Sequence, residues 1–116
     1  MALRKMMERL TKPVDELDRE DLASWCDREA FTPIADAELR RPVRVAGEVR
    51  SVRIVPRAGA DALEATVHDG RSSVTAVFLG RRKISGISPG RRIVLEGVLT
   101  TDDGQRTIFN PIYTLR

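Results

Sequence analysis

The fold is decided by the stretch from Val74 to Gly97, which consists of VTAVFLG, RRKISGISPG and RRIVLEG. Two short apolar runs flank a basic connection that contains two glycines. In each run the side chains alternate with a period of two and include β-branched residues, a pattern that predicts a β-strand. Both faces of the first run are apolar, so we expect that strand to be central and covered on both sides. Within the connection, residues Arg81 to Ile87 could form one or two helical turns.

A long first strand is predicted to begin at Val43 (VRVAGEVRSV), with valines on one face and charged residues on the other. The alternation changes phase after Ser51, which predicts a bulge that curves the sheet. Gly47, in the middle of this strand, fits a sharp bend. A loop from Pro56 to Ala62 is expected to follow, with glycine at its tip.

Three further elements complete the predicted sheet. A second strand runs from Leu63 to Asp69, with Leu63, Ala65 and Val67 inward and Glu64, Thr66 and His68 outward. Asp69-Gly70 is a strong hairpin signal, and Thr101 to Gly104 forms another turn. The last strand, Arg106 to Leu115, is interrupted at Asn110-Pro111, where proline implies an edge position or a break in pairing. The sequence therefore predicts five strands with a pause between the third and fourth.

Residues 1–40 form an acidic leader, and residues 41–116 form the barrel domain. A helix is predicted for residues 2–11, and a second helix is expected within residues 14–30, with Asp18 as its N-cap. Trp25, the only tryptophan, is expected to pin this second helix to the barrel or to a partner. The net charge is −3 for the leader and +6 for the rest of the chain. A basic domain of this kind permits a nucleic-acid partner, although the many arginines could equally reflect a genome of high G+C content.

The strand order predicts a five-stranded Greek-key barrel, and a five-stranded SH3-like barrel is the main alternative. The segments VRVAGEVRSV, LEATVHDGRSSVTAVFLG, PGRRIVLEGVL and NPIYTL resemble the OB-fold nucleic-acid-binding family. Within it, they are similar to the anticodon-binding type and to the wedge domain of the bacterial branched-DNA helicase. The whole chain also resembles small actinobacterial OB-fold proteins with an acidic leader. The resemblance implies an all-β OB-fold core and a nucleic-acid ligand, but no helicase activity, because no motor is present.

The residues that usually carry chemistry are scarce. One cysteine, Cys26, excludes an intramolecular disulfide and a cysteine-rich zinc site, and one histidine argues against a histidine metal cluster. No Gly-rich phosphate loop with lysine and no Ser-His-Asp spacing occurs, so we expect neither an enzyme nor a cofactor. No apolar run reaches the roughly 18 to 20 residues of a membrane span, and no signal peptide is visible. A cytoplasmic protein is therefore expected.

A binding role is the better-supported prediction. In OB barrels, the outer face of strands two and three, with the loops between strands one and two and strands four and five, binds oligonucleotides. The candidate nucleic-acid-binding residues are Arg53, Arg57, Thr66, His68, Arg71, Arg81, Arg82, Lys83, Arg91, Arg92, Arg106 and Tyr113. Because rings for base stacking are few, we expect contacts mainly to phosphates of single-stranded or branched DNA, or of RNA, with little sequence specificity. The alternative is a protein-interaction module that docks through the leader around Leu17, Leu22 and Trp25, or through an open sheet edge.

Overall fold

The computed structural model describes residues 14–29 and 32–116. The described elements are α1 (Val14–Glu29), a 3-10 helix (Ile34–Asp36), β1 (Pro42–Arg57), β2 (Ala60–His68), β3 (Ser73–Leu79), β4 (Arg92–Asp102), β5 (Gln105–Phe109) and β6 (Ile112–Leu115). The helix predicted for residues 2–11 lies outside the described residues. Within the described part, no helix is both long enough and apolar enough to cross a bilayer.

The strands close into a barrel in the order β1-β2-β3-β5-β4, and β4 pairs again with β1. The β3–β5 pair is parallel, and the others are antiparallel. This order confirms the predicted all-β Greek-key barrel with a helical leader. The expected last strand is divided into β5 and β6 because Asn110 adopts a φ of 48° and Pro111 has no N–H to donate. The short β6 pairs with β4 alone.

Two features of β1 allow this one strand to pair with both β2 and β4. The register with β2 shifts between Val49 and Ser51, which confirms the predicted bulge. At Gly47, β2 crosses so closely that a Cβ atom would lie 2.6 Å from Val67 Cγ1 and 2.7 Å from the His68 carbonyl oxygen. Only glycine fits this crossing without displacing backbone. The predicted bend at Gly47 is therefore a point of close strand approach.

Apolar side chains fill the barrel and also fix the leader to its outside. The barrel interior includes fully buried Val45, Leu63 and Ile93. A separate cluster joins α1 to the outer face of β1 and β4, and it consists of Leu22, Cys26, Ala46 and Val94, with Trp25 packed beside them. The prediction of Asp18 as N-cap is wrong, because Asp18 lies within α1. The predicted division of the chain near residue 40 stays a prediction.

Two connections differ from their predicted form. The expected loop from Pro56 to Ala62 is a two-residue turn, because Arg57 pairs with Ala60 and both intervening residues have positive φ angles. Residues 81–87 contain no helix. Both Ile84 and Ile87 are buried in the core, and Gly86 has a φ of +88°. The connection between β3 and β4 is therefore a series of turns, since a residue with left-handed backbone conformation ends any helical run.

Asp69 ties the leader to the β2–β3 turn. Its side chain is 3% exposed, and its Oδ1 atom accepts hydrogen bonds from the backbone N–H groups of Arg71 and Ser72 at 2.9 and 2.8 Å. Its Oδ2 atom accepts a hydrogen bond from the N–H of Ile34 at 3.1 Å. The predicted Asp69-Gly70 hairpin is confirmed as an aspartate-capped turn, a role typical of this residue. One carboxylate thus connects the 3-10 helix with the barrel.

Candidate nucleic-acid interface

A cleft of about 210 Å³ lies on the outer face of the barrel, between the β1–β2 and β4–β5 turns. We call it the outer cleft. Its lining residues come from all the strands of this face and are Arg53, Val55, Arg57, Glu64, Thr66, Thr75, Asp102, Asp103, Gln105 and Thr107. Period-two alternation produces this lining, because their sequence neighbours on β2, β3 and β5 point into the barrel.

The charges of the outer cleft are largely paired with one another. Arg57 donates from Nε to Glu64 Oε2 at 2.7 Å and from Nη2 to Asp102 Oδ2 at 2.8 Å. These two carboxylates, Asp102 foremost, raise the pKa of the Arg57 guanidinium. Arg53 is 3.5 Å from the other Glu64 oxygen and is largely exposed. Two arginines against three carboxylates, Asp103 being the third, leave this cleft without the basic excess of the whole barrel domain.

Glu64 and Phe109 have environments that sequence reasoning missed. Glu64 was expected to face solvent, but it is only 6% exposed, because it lies beneath the two arginines. Phe109 is 38% exposed, and the Arg57 Cζ atom lies 5.5 Å from the centre of its ring. The alternation around the buried residue Ile108 was a usable signal, since it places Phe109 on the outer face.

A larger groove, which we call the connector groove, continues from the outer cleft. It has a volume of about 630 Å³ and is lined by Ala37, Leu39, Ser73, Thr75, Thr101, Gly104, Gln105 and Arg106. Thr75 and Gln105 line both depressions, so the two form one continuous surface. Arg106, which was predicted from sequence, is the charged residue of this groove, and its Nη2 atom lies 3.5 Å from the Ala35 carbonyl oxygen. The continuous surface is polar, and apart from Arg106 its charged residues lie in the outer cleft.

The basic triplet Arg81, Arg82 and Lys83 is exposed shortly after the end of β3. Arg82 Nη1 lies 3.0 Å from Asp61 Oδ2, and both side chains are open to solvent. Asp61 immediately follows Ala60, the partner of Arg57, so the ion pair places the triplet beside the β1–β2 turn. The predicted triplet therefore lies near the β1–β2 turn but outside the outer cleft, because Asp61 pairs with Pro56 and so faces the opposite side of the sheet from Arg57.

Other predicted arginines lie against the leader helix instead. Arg71 forms hydrogen bonds with both carboxylate oxygens of Asp27, at 3.2 and 3.4 Å, and these raise its pKa. Arg92 lies 3.6 Å from Asp21, and its Cζ atom is 5.1 Å from the Trp25 ring centre. Trp25 is thus pinned to the barrel, as one of the two predictions for it stated. These arginines contribute to docking of the helix.

The remaining predicted residues lie outside both depressions. His68 accepts a hydrogen bond at Nδ1 from the Gly70 N–H at 2.9 Å, and burial, together with Arg50, lowers its pKa. Tyr113 on β6 makes an edge-on contact with the Phe78 ring, at 5.6 Å between centroids. Arg91 is exposed just before β4. Of the twelve candidates, the structure brings Arg53, Arg57 and Thr66 together in the outer cleft.

Side chains that could ligate a metal are scattered in the described residues, and their one cysteine is buried. In residues 14–29 and 32–116, no three or more His, Cys, Asp or Glu side chains are grouped as metal ligands would be. Cys26 is a free thiol, 4% exposed, and burial raises its pKa to about 12. A thiol that stays protonated at neutral pH is a poor nucleophile and a poor metal ligand.

Comparison with known proteins supports the architecture. One solved structure, a chain of a replication protein A heterotrimer bound to single-stranded DNA, superposes with a TM-score of 0.51. The barrel has the OB fold. The superposition covers 78% of this chain and 77% of the other, at 18% sequence identity, so the likeness is one of fold. No protein-family model and no curated protein sequence matches the chain.

Proposed function

We propose that this protein is a non-catalytic OB-fold module that binds nucleic acid, single-stranded or branched, with little sequence specificity. The observation that carries the proposal is the continuous polar surface of the outer cleft and the connector groove. It lies over β3 and β5 between the two turns, where OB folds bind oligonucleotides. The similar chain of replication protein A comes from a complex with single-stranded DNA, which supports the same ligand class.

The distribution of charge suggests where the strand would run. Arg53 is exposed in the outer cleft, the triplet Arg81, Arg82 and Lys83 is exposed near the β1–β2 turn, and Arg106 lies in the connector groove. These cations can contact phosphates, while threonine and glutamine side chains between them can donate to sugar and phosphate oxygens. Such contacts do not distinguish between sequences, because phosphates and sugars are the same at every nucleotide.

A titration tests this proposal. Fluorescence anisotropy is measured with labelled single-stranded, duplex and forked DNA and with single-stranded RNA, at several salt concentrations. If about three phosphates are contacted, log K falls against log salt with a slope near −2, since each contact contributes roughly −0.7 on a single strand. Replacing Arg81, Arg82 and Lys83 together by alanine should weaken binding to every sequence and flatten the slope. Arg41→Ala, which removes an exposed arginine outside both depressions, serves as the control.

The outcome that rejects the proposal is a lack of detectable binding to all four ligands at about 50 mM salt, where phosphate contacts are still strong. Truncation of residues 1–30 should leave binding intact or slightly stronger, because the leader carries net negative charge. Loss of binding on truncation, with the barrel still folded, would instead make the leader part of the interface.

A protein-interaction module is the second candidate, because one sheet face exposes large apolar side chains. Val98 on β4 is 54% exposed, and Ile112 on β6 is 69% exposed; by register they lie on the same face. Exposed apolar residues beside a short edge strand are typical of a docking surface. Leu22 of the leader is buried against the barrel, so a partner that docks on this residue would have to displace α1. This candidate predicts that Ile112→Asp abolishes partner capture while exposed Leu39→Asp does not.

A further inference from the structure

Arg57 is held in one position by three different elements of the barrel. Its Nε atom bonds to Glu64 on β2 at 2.7 Å, and its Nη2 atom bonds to Asp102 at the end of β4 at 2.8 Å. The guanidinium lies over the Phe109 ring of β5, with its Cζ atom 5.5 Å from the ring centre. Charge-assisted hydrogen bonds in two directions fix both the place and the plane of the group. An exposed arginine on a strand end has no such constraint.

The same two bonds make Arg57 a poor ligand for phosphate. Glu64 is 6% exposed, so its charge is weakly screened by water, and Asp102 adds a second negative charge to the single positive charge of Arg57. A phosphate that approached Arg57 would meet both carboxylates at short range. Like charges repel in such a partly buried setting more strongly than in water. Phosphate contacts are therefore expected at Arg53, which is 69% exposed, and not at Arg57.

A flat, uncharged ligand does not suffer this repulsion. A guanidinium plane can stack on a nucleobase, and an aromatic ring can do the same. The Arg57 side chain lines the cleft and is 25% exposed, and the Phe109 ring beside it is 38% exposed, so each presents surface on which a ligand could stack. We propose that Arg57, supported by Phe109, is a stacking platform for one unpaired nucleobase, and that Glu64 and Asp102 are the positioning residues that impose this role. This inference rests on the proposed function.

The test separates the contribution of the positive charge of Arg57 from that of its planar guanidinium group. Arg57→Lys keeps a positive charge but lacks the guanidinium plane, and Arg41→Lys, the same exchange at an exposed arginine outside both depressions, is the control. Both variants are titrated with a single-stranded oligonucleotide and with one of the same length that contains abasic sites. For the normal strand, Arg57→Lys should weaken binding roughly 5-fold to 150-fold, the range of one base-stacking contact. For the abasic strand, Arg57→Lys should bind like the wild type, and Arg41→Lys should stay within about 2-fold of the wild type on both strands.

Two further variants keep the test decisive if Arg57→Lys does not fold. Phe109→Leu removes the ring and leaves both ion pairs, and it should selectively weaken binding to the normal strand. Asp102→Asn removes one of the carboxylates, so Arg57 becomes available to phosphate, and the salt slope should steepen by up to about 0.7.

Three possible results distinguish failure of the stacking platform from failure of the proposed function. If the wild type binds the normal strand and both Arg57→Lys and Phe109→Leu bind it equally well, the platform is refuted, and the proposed function stands. If Arg57→Lys loses affinity equally for normal and abasic strands, Arg57 contacts the backbone, and the platform is again refuted. If the wild type binds no oligonucleotide at all, the proposed function fails, and this inference fails with it.

Discussion

Removal of the buried Asp69 carboxylate should destabilise the protein, because this group caps the β2–β3 turn and holds the 3-10 helix. Asp69 is 3% exposed and accepts three backbone hydrogen bonds, from Ile34, Arg71 and Ser72. Hydrogen bonds to a charged group contribute about 1.5 to 3 kcal/mol each, and an amide left buried without a partner costs about 1 to 3 kcal/mol. Ile34 is fully buried, so its N–H is the one that water reaches least readily.

The two possible substitutions have different expected costs. Asp69→Ala removes all three acceptors, and if water replaces the two bonds within the turn, the loss is about 3 kcal/mol. Asp69→Asn keeps one oxygen for Arg71 and Ser72 but turns an amide NH₂ toward the Ile34 N–H, so we expect a loss of about 2 kcal/mol. In a domain of this size these losses lower the Tm by roughly 8 to 15 °C.

Thermal and urea unfolding, followed by far-UV circular dichroism, measure this effect. Asp61→Asn is the matched control, because it removes a carboxylate whose ion pair with Arg82 is exposed, and such pairs contribute at most about 1 kcal/mol. An Asp69→Ala variant that unfolds within about 2 °C of the wild type would refute the reasoning. It would mean that the three amides find water at no net cost.

Three further predictions concern stability. Gly47→Ala should lower the free energy of unfolding by about 1 to 3 kcal/mol or more, since its Cβ atom would lie 2.6 Å from a Val67 methyl group. An unchanged midpoint in urea unfolding would show that this close approach does not constrain the strand. The pKa of His68 is lowered in the folded protein, where its Nδ1 atom accepts a hydrogen bond from Gly70, so the unfolded chain binds more protons in acid. Stability should therefore fall as pH decreases through about 6.5, and His68→Gln should weaken that dependence. The pKa of Cys26 is raised to about 12, so the folded chain keeps a proton that the unfolded chain loses above about pH 9, and stability should fall with rising pH between those values. Cys26→Ala should remove this dependence. A native thiol that reacts with a maleimide as fast as the denatured one would contradict the prediction.

Period-two alternation predicted most of the strand segments and the inward side of much of the sheet. Val45 and Val49 of β1, the inward residues of β2 and Phe78 of β3 all lie where that pattern placed them, because a strand directs alternate side chains to opposite faces. Beyond the bulge it failed, since Ile54 was expected inward but is exposed. The change of phase near Ser51 predicted the bulge, since an extra residue shifts the alternation locally. Local turn chemistry predicted the Asp69-Gly70 hairpin for the same reason.

The contacts of the charged side chains were decided only by the tertiary structure. Sequence reasoning named Arg57, Arg71 and Arg92 among the ligand contacts. In the structure, Arg71 and Arg92 pair with carboxylates of α1, and Arg57 pairs with Glu64 and Asp102. The Arg57–Asp102 partners are separated by 45 positions along the chain. Alternation states which side of its own strand a residue occupies, but it does not state the register between strands or the closure of the barrel. Those depend on packing of the whole core, and they determine which arginine meets a carboxylate and which one remains open to a ligand.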